Sequence, residues 1–384
     1  MCSSYIPSKL DTELFWDRER TRERSISEVP PGFPDIIQSP LVWKGSDIHP
    51  KVREWKVDLC GDEITAIDAA VFAFEKKYGE NLAELTSSTF ELPTEFSQRL
   101  RKLSDQLYRG VGFQIIHGLD PTKYTPRQKM IMYVGVTAHV CPQRGSVDVA
   151  GKGVVGKLTG CLPRRLRAKP PPSFSNSFHT DNCAIMAFYY LDVAPLSGWT
   201  LLSSIWQTYN ELAASKLEVL HTLAEPWVLD TFKPLSIQPP RHVRPLQRVV
   251  GSDKIPVLFR FSRYPVTGFQ RERSADRDAA DAVQFIAARN AITLPVIAGD
   301  VLLVNDMALF HAREGFHDGG VPLKRHLVKM YFRDPEQGWA IPPSMEREWK
   351  TAYLSGSDDG RVKKEEIWEC TYWPGLEELS MLNG

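Results

Sequence analysis

The sequence contains a His-x-Asp motif, formed by His179, Thr180 and Asp181. On a strand or at its edge, residues i and i+2 point to the same face, so this imidazole and carboxylate could reach one metal ion. A histidine from elsewhere in the chain would complete a facial triad, which leaves open positions on non-haem iron(II). A structural histidine beside an aspartate in a turn would give the same motif, so the motif alone leaves both interpretations open.

A second group of candidate residues lies downstream, where His311 is followed by Arg325. With these residues the sequence resembles the taurine dioxygenase/TfdA family of iron(II)/2-oxoglutarate oxygenases, and most of all its fungal branch. The resemblance extends over residues 30–340. It is carried by the segments PPGFP (30–34), GVGFQIIHGLD (110–120), HTDN (179–182), YNELA (209–213) and HAR…KRHLVKMYFRDPE (311–336).

The resemblance implies a role for each matching residue. His179, Asp181 and His311 correspond to the iron ligands. Arg325 corresponds to the arginine that binds the C5 carboxylate of 2-oxoglutarate, a task that suits a planar guanidinium with two parallel donors. Thr200 corresponds to the hydroxyl partner of that carboxylate. Its local sequence, SGWT, departs from the two glycines that many relatives carry, and a β-branched residue that opens a strand is the other interpretation.

Two basic residues are candidates for holding the substrate. Lys329 lies four residues beyond Arg325, so both would face the same side of one strand. The taurine enzyme has a sulfonate-binding arginine at this position, and a lysine there could bind a carboxylate. A solvated lysine at a strand edge is the alternative. Arg313, two residues from His311, could do similar work or lie at the surface.

The resemblance implies a mainly β fold, a double-stranded β-helix (a cupin-like jelly roll) with flanking helices and iron at its mouth. Short β-like runs separated by Gly, Pro and Asp favour the same architecture. Residues 1–35 are predicted to form an N-terminal arm, and residues 36–384 a single oxygenase domain. Within that domain, 141–178 is predicted to be a lid, and 340–384 a C-terminal tail packed on the core.

The predicted strands and helices can be placed from apolar spacing and from Gly and Pro positions. The strands are expected at 110–118, 184–193, 200–205, 256–262, 298–306 and 326–332. The helices are expected at 61–80, 93–109, 208–223 and 275–290, with another that begins at Pro126 after a Thr125 cap.

The composition favours a small-molecule partner. The 47 basic and 47 acidic residues balance, so no overall field attracts nucleic acid or an anionic membrane. No signal sequence and no stretch of about 18 apolar residues is present, which predicts a cytoplasmic protein. The 6 cysteines include no CxxC pair and are expected to be reduced thiols.

Together these features predict a dioxygenase that uses Fe(II), 2-oxoglutarate and O₂ to oxidise an unactivated C–H bond of a small metabolite. An amino acid or other small carboxylate of secondary metabolism is the favoured substrate. Related halogenases replace the triad carboxylate with a small residue, so Asp181 favours hydroxylation, desaturation or oxidative ring closure. The alternatives are a catalytically silent jelly-roll binding protein and an iron oxygenase of this fold that does not use 2-oxoglutarate.

Overall fold

The computed structural model describes residues 26–79, 81–147, 154–159, 176–181, 183–193, 198–225, 227–230, 241–244, 247–252, 255–259, 274–314, 326–341, 345–353, 366 and 368. Within them the α-helices are α1 (Gly45–Ile48), α2 (Val52–Trp55), α3 (Gly61–Tyr78), α4 (Thr94–Arg109), α5 (Pro126–Val140), α6 (Ile205–Ser215), α7 (Leu217–Ala224), α8 (Ser274–Asn290) and α9 (Glu346–Tyr353). The strands are β1 (Lys56–Asp58), β2 (Phe113–His117), β3 (Gln143–Gly145), β4 (Gly156–Thr159), β5 (Asn176–His179), β6 (Ile185–Asp192), β7 (Thr200–Ser204), β8 (Trp227–Asp230), β9 (Arg241–Arg244), β10 (Gln247–Ser252), β11 (Ile255–Phe259), β12 (Ile292–Leu294), β13 (Val301–Asn305), β14 (Leu309–Arg313) and β15 (His326–Arg333).

The most apolar runs of the sequence form the middle of a seven-stranded sheet, the larger sheet. Its strand order is β1-β2-β13-β6-β15-β3, and β4 also pairs with β15. The pairings are antiparallel except that of β1 with β2. Strand β13 is buried at every position, as expected for a strand covered on both faces. A tight turn at Gly299, whose φ of 94° favours glycine, leads into β13.

A four-stranded antiparallel sheet, the smaller sheet, has the order β12-β7-β14-β5. It carries both histidines of the predicted triad, since His179 is the last residue of β5 and His311 the central residue of β14. Strands β8 with β9, and β10 with β11, form two further antiparallel pairs. The smaller sheet is therefore the one that positions the imidazoles.

Helices cover both sheets. Helix α4 packs on β2 and β13 of the larger sheet and on α5, which also contacts α3. Thr125 caps α5 by accepting from the Gln128 backbone N–H, with Pro126 in the first turn, as the sequence predicts. Helix α8 packs on β5 and β7 of the smaller sheet and on α6 and α7. No helix among the described residues is long and apolar enough to cross a bilayer.

One contact between α8 and the smaller sheet bears on the site. The fully buried side chain of Gln284 accepts from the backbone N–H of Phe178 at 2.9 Å and donates to its carbonyl at 2.6 Å. β5 is the edge strand of the smaller sheet among the described residues, and the amide completes its backbone hydrogen bonding on the side away from β14. Because His179 follows Phe178 directly, Gln284 fixes the strand that presents the first metal-binding candidate.

The prediction of one continuous helix at 208–223 is wrong. The structure has two helices, α6 and α7, separated at Lys216, whose φ of −145° and ψ of 55° are not helical.

Within the predicted lid, 141–178, strands β3 and β4 pair with β15 in the larger sheet, and the rest of the segment lies largely outside the described residues. In the predicted tail, Trp349 is buried, as is Trp339 just before it, and the Tyr353 hydroxyl accepts from the Ala184 N–H at 2.9 Å.

Candidate metal centre

The His-x-Asp motif begins at the end of β5. The Nδ1 atom of His179 lies 2.7 Å from the Ser177 carbonyl oxygen. A carbonyl can only accept, so Nδ1 carries the proton and Nε2 keeps its lone pair. That Nε2 is buried and has no hydrogen-bond partner among the described residues. This tautomer is the one that a metal-binding histidine adopts when a backbone carbonyl orients it.

The distal histidine lies beside the first. His311 of β14 is the direct register partner of His179 of β5, and their ring centroids are 4.0 Å apart. Nδ1 of His311 is 3.5 Å from Oδ1 of the fully buried Asp306, without hydrogen-bond geometry. If Nδ1 donated to Asp306, Nε2 of His311 would be left for a metal.

Asp181 is held from two directions. Its backbone N–H donates to Asp306 Oδ1 at 2.9 Å. Its Oδ2 accepts from Lys329 Nζ at 3.0 Å and from Tyr331 OH at 2.9 Å. Its other oxygen, Oδ1, lies 4.0 Å from His179 Nε2. The carboxylate therefore has one oxygen bound by donors of the larger sheet and the other on the side of the histidines.

These three side chains form a set that can hold a metal ion. One ligand atom from each of His179, Asp181 and His311 lies within 4.8 Å of the other two, and each residue is buried. Two imidazoles and one carboxylate suit iron(II), and the unpartnered buried nitrogen of His179 is an atom that such an ion would satisfy. The residues present therefore fit iron(II).

The electrostatics favour the protonation states that a metal requires. Burial, and after it the neighbouring imidazole of His311, lowers the pKa of His179 to about 4. Burial also lowers the pKa of His311 to about 4. Burial opposes ionisation of Asp181, but the charge of Lys329 outweighs it together with the histidines, so the pKa of Asp181 is well below its usual range. At neutral pH the site has two neutral imidazoles and one carboxylate.

The predicted 2-oxoglutarate residues are only partly described. Thr200 is buried at the start of β7, and its hydroxyl is 2.7 Å from Tyr190 OH of β6. This bond crosses from the smaller sheet to the larger one, and strand β7 pairs directly with β14, which carries His311. Arg325 lies outside the described residues, immediately before β15. Its role stays a prediction.

The two predicted substrate residues lie in different surroundings. Lys329 is 5% exposed, so it is not a solvated lysine at a strand edge, and its ammonium is bonded to Asp181. Arg313 is half-buried at the end of β14, opposite Thr200. The edge-on ring of Phe188, 6.3 Å from the His311 ring, adds an apolar wall beside the site.

Four residues that contribute to the site were missed at the sequence level, namely Tyr190, Gln284, Asp306 and Tyr331. Strand alternation could have identified Tyr331, because it is two residues beyond Lys329 and shares its face. Asp306 belongs to the segment that precedes His311, but its spacing contains no signal for a contact with Asp181. Gln284 lies on a helix far away in sequence, and nothing in its neighbourhood indicates that its amide binds a strand.

Comparison with known proteins agrees with this geometry. The family described as "Taurine catabolism dioxygenase TauD, TfdA family" matches residues 78–331. The "Taurine hydroxylase-like protein SAT17" of Stachybotrys chartarum (strain CBS 109288 / IBT 7711) is 27% identical over 335 residues, which are 81% of this chain and 83% of the relative.

Two solved structures share the fold at low sequence identity. Non-haem iron oxygenase OrfP in complex with Fe superposes with a TM-score of 0.52 at 16% identity, covering 75% of this chain and 97% of OrfP. Asparagine oxygenase in complex with Fe(II), 2S,3S-3-hydroxyasparagine and succinate superposes with a TM-score of 0.56 at 13% identity, covering 74% and 98%. The mixed sheets with flanking helices are thus an arrangement that non-haem iron oxygenases share.

Proposed function

The chain belongs to the TauD/TfdA family of iron(II)- and 2-oxoglutarate-dependent oxygenases, and on this basis we propose that it oxidises an unactivated C–H bond of a small, carboxylate-bearing metabolite. The observation that carries the proposal is the buried cluster of His179, Asp181 and His311, with ligand atoms within 4.8 Å of one another. We also propose that the two sheets are the halves of a double-stranded β-helix, with the cluster at its mouth.

Each residue of the cluster has a defined task. His179 and His311 would bind iron(II) through ring nitrogens, and Asp181 through Oδ1. These three ligands leave about three adjacent positions for 2-oxoglutarate and O₂. Iron held by these residues would supply the activation of O₂, with one oxygen atom going to succinate as 2-oxoglutarate loses CO₂ and the other to oxidation of the substrate.

The cosubstrate site is proposed to lie between Arg325 and Thr200. A guanidinium gives the C5 carboxylate two parallel charge-assisted hydrogen bonds, and the Thr200 hydroxyl adds a third. Tyr190 orients that hydroxyl through the 2.7 Å contact. Arg325→Ala is expected to raise the 2-oxoglutarate requirement by about 100-fold, since a buried carboxylate loses its charged partner. An equal rise in the substrate requirement would contradict this assignment.

The proposed substrate is an amino acid or another small carboxylate. The asparagine oxygenase structure contains a hydroxylated amino acid, and OrfP has been solved with L-Arg. In this chain, Lys329 is engaged with Asp181, whereas Arg313 stands two residues beyond His311 and so faces the same side of β14. We therefore assign the substrate anion to Arg313. The apolar ring of Phe188 would exclude water from the C–H bond that reacts.

The outcome is proposed to be hydroxylation, desaturation or ring closure. The retained carboxylate of Asp181 occupies the place that a halide takes in related halogenases. The buried Nε2 of His179 argues against a silent binding protein, because without a metal it has no partner among the described residues. Dependence of turnover on 2-oxoglutarate separates the proposal from an oxygenase that works without this cosubstrate.

A turnover screen tests the proposal. Protein loaded with Fe(II) is mixed with 2-oxoglutarate, ascorbate and single amino acids or small acids, and products are detected by mass spectrometry. We expect one acid to gain one oxygen atom or to lose two hydrogens, with succinate in equal amount. His179→Ala is the matched control and should give neither product. Oxidation of a substrate without succinate would overturn the 2-oxoglutarate assignment.

A further inference from the structure

Two neighbours of Asp181 have a geometry that suggests more than structural packing. Lys329 and Tyr331 are separated by one residue on β15, so both side chains point to the same face. Both donate to the same atom, Oδ2 of Asp181, at 3.0 and 2.9 Å. Lys329 and Tyr331 are each about 5% exposed, so solvent competes little for these bonds.

The strand that carries the two donors is fixed on both sides. Lys329 pairs with Phe188 of β6 and with Gly156 of β4. Tyr331 pairs with Met186 of β6 and with Gly145 of β3. Because β15 is held in ladders on both sides, the backbone positions from which the ammonium and the hydroxyl reach Asp181 are fixed. The backbone of Asp181 is fixed as well, by its bond to Asp306.

This arrangement limits how a carboxylate can bind a metal. A carboxylate that used both oxygens would occupy a fourth position on iron and leave only about two for 2-oxoglutarate and O₂, which together need three. With Oδ2 bonded to two donors, Oδ1, the oxygen on the histidine side, is the one that would reach a bound ion. We propose that Lys329 and Tyr331 are positioning residues that restrict Asp181 to coordination through Oδ1 and so keep a third position open.

The proposal rests on the iron-binding function proposed above, and it gives Lys329 a different role from the substrate anchor that the sequence predicts. An anchor would act only when substrate is present, whereas a positioning residue acts on the metal site alone. The two roles can therefore be separated by measurements made without substrate and without turnover.

The test uses Mn(II) as the probe in the substrate-free protein. The number of exchangeable waters on the ion is obtained from water-proton relaxation, and affinity from the free Mn(II) signal in electron paramagnetic resonance. Wild-type protein should hold about three waters. The Lys329→Met/Tyr331→Phe double variant should hold about two, because the freed Oδ2 binds the ion, which reduces the relaxation enhancement by about a third. Each single variant should fall between these values.

Tyr133→Phe is the matched control. Tyr133 is a fully buried tyrosine whose hydroxyl donates to the Ala187 carbonyl at 2.9 Å rather than to Asp181. Its loss should destabilise the fold in a similar way and leave the water count at the wild-type value. An unchanged water count in the folded double variant would overturn the proposal.

A second measurement keeps the proposal testable if the double variant fails to fold. In a crystal structure of the wild-type protein with Mn(II), Asp181 should bind through Oδ1 alone, with both donors within about 3.2 Å of Oδ2. A metal bonded to both oxygens would overturn the proposal. If the wild-type protein binds neither Mn(II) nor Fe(II), the proposed function itself fails, which is a distinct outcome.

Discussion

The two sheets contribute differently to the site. The smaller sheet provides the groups proposed to touch iron or its ligands, with His179 on β5, His311 on β14 and Thr200 on β7. The larger sheet provides side chains that hold those groups, since Tyr190 contacts Thr200, and Lys329 and Tyr331 contact Asp181. The groups proposed to touch iron or its ligands thus lie on the four-stranded sheet, which ends in the short edge strand β5. The side chains that hydrogen-bond to them, here called supports, lie on the seven-stranded sheet.

The largest effect is expected from the ligands themselves. His311→Ala should lower metal affinity by more than about 100-fold and should abolish turnover. Loss of a group that only hydrogen-bonds to a ligand costs up to about 100-fold in metal affinity, and loss of the ligand itself should cost more. Anaerobic Fe(II) titration and succinate assays measure both quantities. Removal of a larger-sheet support, as in Tyr190→Phe, serves as the comparison and should retain metal. Equal losses in the two variants would remove the distinction between ligands and supports.

A pH titration tests the burial of the two imidazoles. In the unfolded chain a histidine binds a proton near pH 6.5, whereas His179 and His311 in the fold do so only near pH 4. The unfolded state therefore binds more protons between these values, and stability falls as the pH is lowered from 6.5 to 4. For the metal-free protein we expect a loss of about 3–5 kcal/mol, measured by urea unfolding.

The control for this titration is the His179→Gln/His311→Gln double variant, which lacks both imidazoles. Its stability should decline less over the same pH interval. If the wild type and the double variant decline equally, the two imidazoles are not held neutral by burial.

The edge strand of the smaller sheet should depend on its glutamine. Gln284→Met leaves the buried N–H and C=O of Phe178 without partners, which should cost about 2–4 kcal/mol of unfolding free energy. Gln207→Met is the control, because within the described ranges the half-buried side chain of Gln207 bonds the Glu211 side chain alone, and its loss should cost less than about 1 kcal/mol. Urea unfolding compares them, and similar costs would show that β5 does not need its amide partner.

The smallest effect is expected from a single contact between the sheets. Tyr190→Phe removes the hydroxyl bonded to Thr200. One hydrogen bond contributes about 1 kcal/mol, so 2-oxoglutarate affinity should fall by about fivefold while metal affinity stays unchanged. Titration of the Fe(II) protein with 2-oxoglutarate under anaerobic conditions measures this. A change in metal affinity alone would place Tyr190 in the metal site.

The sequence predicted the metal-binding residues better than their supports. Local spacing made His179 and Asp181 candidates, because i and i+2 share a face of a strand, but it left a structural histidine open. The position of Thr125 at the start of α5 follows from capping chemistry in the same local way. The family resemblance gave His179, Asp181 and His311 their roles as ligands, and it gave the oxygenase class.

The contacts that could not be predicted depend on pairing between strands that are far apart in the sequence. The register that places His311 opposite His179 arises from how β14 pairs with β5, and every residue of β14 but the last is buried, so its sequence has no alternation to reveal a strand. The face of Lys329 could be inferred from alternation, but its partner could not. Asp181 reaches Lys329 only because the end of β5 lies against β15 of the other sheet.

The fate of the two oxygen atoms of O₂ tests the central claim most directly. The protein is incubated with Fe(II), 2-oxoglutarate and ¹⁸O₂, with Asp181→Ala as the control, and succinate is analysed by mass spectrometry. We predict that wild-type succinate carries a single ¹⁸O atom and that the variant forms no succinate above the level of free Fe(II). Unlabelled succinate from the wild type, or equal labelled succinate from the variant, would contradict a dioxygenase centred on His179, Asp181 and His311.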